Sequence, residues 1–432
     1  MLSQAGQVLV QQIDNMMVGR VGTTELAAAS FANSVFIIGM VFGMGFTFGL
    51  TPLAGHAFAK GQFKKAGSLF KNSLYTNLLM GILLAVLLYS VSFLMNFMGQ
   101  PPQVVAAAVP YYRILVVSLL PFLLFFTLKQ FVEGIGNTRI AMVVTISANL
   151  INILLNYMLI FGKLGAPELG LNGAGYATLI ARILMAVFFV MMFFKKSWLR
   201  RYLVMFSAAR FNLQEVRNLF KVGWPISLQI LLEVSAFALS GVMMGWLGEV
   251  PLAAHQIALG LASMTFMIVT GVASGTTIRV SHQFSKKDYP GMYKAAMASV
   301  HLVLMFMSFT AIMFVLFKGW LPRLYSPNAE VIALASRLLI MAAVFQIFDG
   351  MQVAILGALR GLADVKKAMI YAFFAYIVVN LPLSYLLTFV FKIGPEGIWI
   401  GFVAGLSIAA ILFFRRFLVI YRRLTTYESS NI

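Results

Sequence analysis

Gly19-Arg20-Val21-Gly22, followed by Leu26-Ala27-Ala28, returns in the second half of the chain as Gly245-Trp246-Leu247-Gly248, followed by Leu252-Ala253-Ala254. At nearly the same offset Ala141-Met142 meets Ala368-Met369. After a slip of one residue, Asn152, Asn156 and Tyr157 meet Asn380, Ser384 and Tyr385. A chain that repeats itself in this way is built from two copies of one architecture, and the residues between the matched stretches say which. Both copies are made of long apolar runs broken by short basic loops.

The composition agrees. Hydrophobic residues make up 61% and charged residues only 10%, and the mean hydropathy is +0.91, whereas soluble domains carry about 25% charged residues. A helix needs about 20 apolar residues to cross the hydrocarbon core. Twelve such segments are read at roughly 1–18, 26–54, 72–99, 104–128, 140–162, 171–194, 224–248, 252–278, 292–317, 331–359, 368–391 and 398–421. Six fall in each copy, so both copies enter the bilayer with the same orientation. The repeat is therefore parallel, about an axis along the membrane normal, an arrangement that transporters use to place substrate between two halves that rock. The expected fold is an all-α polytopic membrane protein of twelve transmembrane helices in two six-helix lobes related by a pseudo-two-fold. Residues 1–194 form the N-terminal lobe, 195–223 a basic cytoplasmic linker, and 224–432 the C-terminal lobe with a short basic tail.

The net charge of +19 does not point to nucleic acid, because the basic residues sit in alternate loops. Lys60, Lys64, Lys65 and Lys71, the linker from Lys195 to Lys221, the loop with Arg360, Lys366 and Lys367, and the tail from Arg415 to Arg423 all fall on one side. The opposite loops hold only Arg20, Lys163, Lys318, Arg323 and Lys392. The excess marks the cytoplasmic side, which places both termini in the cytoplasm and the protein in the cell membrane. The chain has no cysteine, which removes disulfides, thiol catalysis and cysteine-based metal sites. It also lacks a basic region and an Ala-x-Ala-like site at its start, so no cleaved signal is expected. With no phosphate-binding loop and no catalytic cluster at a membrane face, neither ATP nor an enzymatic reaction is expected to drive it. Nor is a cofactor expected beyond a coupling ion.

Three carboxylates stand inside apolar segments: Asp14, Glu233 and Asp349. An ionised carboxylate at mid-membrane costs roughly 2.5–3.5 kcal/mol on insertion scales, so it is normally retained for ion or proton handling. Arg337, three turns before Asp349, is too far along one helix to neutralise it. Two carboxylates without an evident cation are read as a cation or proton site, to which Gln256 could add an amide oxygen. In the first half, Thr145, Asn149, Asn152 and Asn156 recur at i, i+4, i+7 and i+11, one stripe of a helix face. With Asp14 and Thr178 they offer oxygen ligands suited to Na⁺ or a hydrogen-bond network around a titrating Asp. Interhelical asparagine bonding is the bland alternative, and Arg182, one turn beyond Thr178, could pair with Asp14 and make it structural. His255 is a weak proton-relay candidate. The 26 methionines and 39 phenylalanines serve mainly lipid-facing and packing roles.

The chain resembles the multidrug and toxic compound extrusion (MATE) transporters, and among them the NorM-like bacterial branch. The marks are Ile13-Asp14-Asn15-Met16-Met17-Val18-Gly19, Asn152-Ile153-Leu154-Leu155-Asn156-Tyr157 and Gly173-Ala174-Gly175-Tyr176-Ala177-Thr178, then Glu233. Ala254-His255-Gln256-Ile257-Ala258-Leu259, Gln346-Ile347-Phe348-Asp349 and Leu359-Arg360-Gly361 complete the set. The resemblance implies a V-shaped pair of lobes and export of organic cations or amphipathic drugs in exchange for Na⁺ or H⁺, by a monomer in the bilayer. It implies that Glu233 and Asp349, with Gln256, bind the coupling cation in one lobe. Asp14, with Asn152, Asn156 and Thr178, is implied to do so in the other. Phe345 stands where such members have Tyr, which removes a hydroxyl, and Met1 stands so close to Asp14 that either this start is truncated or the first helix is short at its cytoplasmic end. A flippase of lipid-linked oligosaccharide or peptidoglycan precursor, from the same superfamily, is the second reading. It would need a cationic cavity for a pyrophosphate, for which Arg182 and Arg113 are the only buried candidates.

Overall fold

A computed structural model describes residues 13–14 and 16–429, with the side chains of 427–429 left aside. Among these residues every regular element is helical. They form α1 (Thr23–Thr47), α2 (Leu50–Ala59), α3 (Phe63–Leu94), α4 (Pro102–Gly134), α5 (Arg139–Phe161), α6 (Gly170–Lys195) and α7 (Ser197–Ala208). Beyond them come α8 (Leu213–Trp246), α9 (Glu249–Ser285), α10 (Tyr289–Leu316), α11 (Ala329–Gly361), α12 (Val365–Val390) and α13 (Pro395–Ser429). Eleven helical stretches among the described residues are long and apolar enough to cross a membrane, with α1 and α2 counted as one. Most of the expected first helix at 1–18 lies outside the described residues.

The linker expected at 195–223 proves largely helical. Its first part is α7, and the seventh span starts at Leu213 rather than 224. The reason is that residues 213–223 supply good helix formers with no proline or internal glycine before Gly223. The chain divides into two compact units, Leu2–Ser227 and Leu228–Ile432, and the boundary falls inside α8.

Each unit packs around its own hub helix. In the first it is α4, which starts at a Pro101-Pro102 pair whose missing amides cost nothing at a helix start. In the second it is α11, where the Asn328 side chain accepts from the amides of Glu330 (2.9 Å) and Val331 (3.3 Å). Both hubs are 33 residues long, and each ends on a glycine pressed to a neighbouring backbone. A Cβ on Gly134 would stand 2.8 Å from the Thr51 carbonyl oxygen, and one on Gly361 2.7 Å from that of Thr277. These approaches let the helices close without side chains between them, the usual way apolar helices associate in lipid.

The two counterparts α5 and α12 differ. α5 is an unbroken α-helix. α12 runs α-helical over Val365–Phe373, widens to a π-helix over Phe374–Asn380, returns to α over Leu381–Tyr385 and widens again over Leu386–Val390. Pro382 lies between the wide segments. It donates no hydrogen bond and crowds the carbonyl one turn back, and a wider turn relieves both faults.

Candidate functional site

In the second unit α8 and α11 carry the carboxylates. Glu233 and Asp349 are both buried, 8% and 3% exposed. One amide holds them together: Gln352 Nε2 donates to Asp349 Oδ1 (3.2 Å) and to Glu233 Oε1 (3.4 Å). The other Glu233 oxygen accepts from Gln229 Nε2 (3.1 Å), and the Tyr376 hydroxyl from α12 donates to Gln352 Oε1 (2.9 Å). Gln229 precedes Glu233 by one turn and Gln352 follows Asp349 by one turn, so helical spacing alone puts each glutamine on its carboxylate's face. Neither glutamine is among the residues expected at the site, although that spacing is a usable signal.

Arg360, by sequence one of the loop cations, lies instead in the last turn of α11. Its guanidinium donates to Gln229 Oε1 (2.5 Å), and its charge acts on Glu233. The pair therefore does have a cation nearby, one hydrogen bond removed. Gln256 is exposed, and among the described residues no hydrogen bond joins it to either carboxylate. Its neighbour His255 is fully buried, edge-on to Trp399 at 5.7 Å and stacked on Phe402 at 6.3 Å. Phe345 packs in the same aromatic group, 5.4 Å from Trp399.

In the first unit the polar stripe of α5 meets Asp14. Asn156 Nδ2 donates to Asp14 Oδ1 (2.5 Å) and to Asn152 Oδ1 (3.4 Å). The Asn156 side-chain oxygen Oδ1 is buried and has no hydrogen-bond partner among the described residues. Turning that amide over would set a third oxygen beside those of Asp14 and Asn152. Thr145 is spent on its own helix, donating to the Ala141 carbonyl (2.8 Å). Thr178 is half-buried on α6. Asn33 Nδ2 donates to the Tyr111 hydroxyl (3.5 Å), and the charges of both Asp14 and Arg182 reach Tyr111.

Arg182 is not the partner of Asp14. It donates to Ser118 Oγ (2.7 Å) and Met40 Sδ (3.6 Å), and its guanidinium lies over the rings of Phe122 (4.6 Å) and Phe36 (5.5 Å). A planar, weakly hydrated cation is well satisfied by aromatic faces, so it leaves the carboxylate alone. No ion pair among the described residues includes Asp14, Glu233 or Asp349. Two further carboxylates are buried or nearly so. Glu133 lies 3.9 Å from Lys129, and Glu215 accepts from Ser68 and Asn72, each at 2.7 Å.

Comparison with known proteins adds the family. The sequence profile of the MatE family matches residues 1–158 and 225–386. The chain is 34% identical over 432 residues to "Multidrug resistance protein NorM" of Aliivibrio fischeri, covering 99% of this chain and 94% of that protein. It is 32% identical to "Multidrug resistance protein MdtK" of Pectobacterium atrosepticum, covering 98% and 93%. In fold it superposes on a MATE transporter crystallised in complex with MaL6, with a TM-score of 0.88 at 21% identity over 98% of this chain and 94% of the other. The profile spans most of the chain and the relatives nearly all of it, and so this multi-pass membrane protein belongs to the MATE family.

Proposed function

We propose that the protein is a secondary active multidrug efflux antiporter of the cell membrane, with both termini in the cytoplasm, exporting organic cations or amphipathic drugs in exchange for Na⁺ or H⁺. The observation that carries this is a charge count in the second unit. Glu233 and Asp349 bring two buried negative charges, and Arg360 brings one positive charge through Gln229. One positive charge is missing, and an uncompensated charge in a low-dielectric interior is too costly to keep. A proton or a monovalent cation supplies it. The carboxylate oxygens suit a hard cation, and the Gln352 bridge lets one bound charge serve both carboxylates.

Asp14, with Asn152 and Asn156, is the matching site in the first unit: one carboxylate, no ion-paired cation among the described residues, and so again one charge to be supplied. In exchange, a drug cation and the coupling ion stabilise different states of the same carboxylates, and each weakens the other's hold by the same factor. The names of the relatives, as multidrug resistance proteins, support this substrate class. The flippase reading is the weaker one, because the half-buried cation Arg182 is already occupied by Ser118 and two aromatic rings.

The test uses purified protein in liposomes loaded with a fluorescent organic cation. A Na⁺ or a proton gradient, imposed separately, is expected to drive its movement. Movement driven by neither gradient sinks the antiporter reading. Glu233→Gln and Asp14→Asn then show which unit carries the coupling.

A further inference from the structure

The linker between the units carries a surface that the transport reading does not use. From Lys195 to Lys221 the chain holds Lys195, Lys196, Arg200, Arg201, Arg210, Arg217 and Lys221, against the single acid Glu215. That acid does not offset them at the surface. It is buried against Ser68 and Asn72 of α3, while Arg200, Arg201, Arg210 and Arg217 are exposed.

The linker is also pinned. Leu199 and Tyr202 of α7 sit in the core, and Gly67 of α3 lets the Met205 backbone approach to 3.2 Å of where a Cβ would be. Lys71 Nζ donates to the Ala209 carbonyl (2.8 Å), and the Asn212 amide to Asn72 Oδ1 (3.0 Å). These anchors belong to the first turns of the α3 span, so the linker is held at the depth where that span leaves the hydrocarbon.

Set among the exposed arginines are exposed apolar side chains: Val204 at 58%, Phe211 at 62% and Leu213 at 71%. Next to them a groove of about 490 Å³ is lined by Leu213, Val216 and Phe220, with Gln214 and Arg217. Cations interleaved with apolar groups at the end of a span are matched neither to water nor to hydrocarbon, but to the headgroup layer. A groove with apolar walls and a guanidinium matches a lipid that is apolar at one end and anionic at the other.

We propose that the groove at the start of α8 binds an anionic phospholipid of the adjacent leaflet, with acyl carbons on Leu213, Val216 and Phe220 and the phosphate on Arg217, assisted by Arg210. The site is independent of which ion drives transport. Juxtamembrane basic residues gain about 1 kcal/mol each from anionic lipid, which corresponds to about fivefold in affinity per residue.

The test places the purified protein in nanodiscs of phosphatidylcholine with or without about one-third phosphatidylglycerol, and reads lipid retained by native mass spectrometry together with the melting temperature. The wild type is expected to retain phosphatidylglycerol over phosphatidylcholine, and to melt higher with it. Arg210→Gln/Arg217→Gln is expected to lower that preference about 25-fold, and Arg217→Lys to keep most of it. Lys286→Gln/Lys287→Gln, an equal loss of charge elsewhere, should leave it unchanged. Raised salt should weaken it. The proposal is overturned if wild type does not discriminate between the lipids, or if both double variants lose the preference equally, which would mean only a diffuse charge effect. It is also overturned if inorganic phosphate alone reproduces the melting shift.

Discussion

Helices α5 and α12 hold corresponding places in the two units, and their comparison shows what the repeat keeps and what it lets go. Each carries a buried polar residue one turn after a buried asparagine. Asn156 Nδ2 donates to Asn152 Oδ1 at 3.4 Å in α5, and Ser384 Oγ to Asn380 Oδ1 at 3.1 Å in α12. Each packs on a helix that opens near a glycine of positive φ, Gly170 at 53° and Gly394 at 83°, and approaches closely at the next glycine. A Cβ on Gly173 would lie 2.3 Å from the Leu159 carbonyl oxygen, and one on Gly397 2.7 Å from Thr388 Oγ1. The scaffold is thus shared, but the charges are not. Asn156 reaches Asp14, whereas the counterpart of Asp14 is Ser240, buried and without a hydrogen-bond partner among the described residues. On the hub helices, aligned at Gly134 and Gly361, Phe122 lies under Arg182 where the second unit has Asp349. Packing positions in this duplicated fold are thus matched in pairs, while the carboxylates of its apolar segments are not.

The one-residue slip in the repeat has a structural cause. It falls between Met369 and Asn380, where the first π-helical stretch, Phe374–Asn380, lies. A π segment absorbs one extra residue into a helix without displacing the turns beyond it. Asn380 and Ser384 therefore stay against α13 although the count has shifted.

The comparison can be broken at several points. The largest effect is expected where the shared scaffold is tightest. A Cβ on Gly401 would lie 2.0 Å from Ser384 Oγ and 3.0 Å from its Cα, so Gly401→Val should cost upward of about 3 kcal/mol and abolish the monodisperse peak in size-exclusion chromatography. Next, Ser240→Asp would restore in the second unit the carboxylate that the first unit has. With no counter-charge prepared for it, about 2.5–3.5 kcal/mol of stability should be lost, read as a lowered melting temperature, and an unchanged melt would mean that the two positions are equivalent after all.

Glu233→Gln and Asp349→Asn should each reduce gradient-driven uptake about 100-fold, equivalent to about 2.7 kcal/mol, with melting nearly unchanged. Arg360→Gln sharpens the charge count, because two carboxylates without the guanidinium need two added charges. The dependence of uptake on the driving ion should steepen from a Hill slope near one towards two. A slope that stays near one would mean that Arg360 plays no part in the balance. The smallest effect belongs to the slip: deletion of Val379 should let α12 relax towards the plain helix of α5, at a cost of about 1 kcal/mol. A variant that fails to fold would remove the π-helical explanation.

Length, apolar runs and the repeated Gly-x-x-Gly stretches sufficed for the class, because bilayer thickness and backbone hydrogen bonding in lipid leave few alternatives. Asp14, Glu233 and Asp349 were legible for the same reason: a carboxylate in an apolar run stands out against its insertion cost. Their surroundings were less so. Gln229 and Gln352 were readable from one-turn spacing, but Tyr376 and Arg360 meet the carboxylates only through helices brought together from distant parts of the chain. Arg182 shows the limit. By sequence it stands one turn from Thr178 and looks like a counter-ion for Asp14, and only the packing of α1, α4 and α6 reveals that Phe36, Phe122 and Ser118 hold it elsewhere. The sequence by itself determines which groups are costly in a membrane, since that depends on the residue and its immediate neighbours. Which group then neutralises which is decided by tertiary structure, because electrostatic and hydrogen-bond partners are chosen within a few ångströms, a scale on which separation along the chain carries no information.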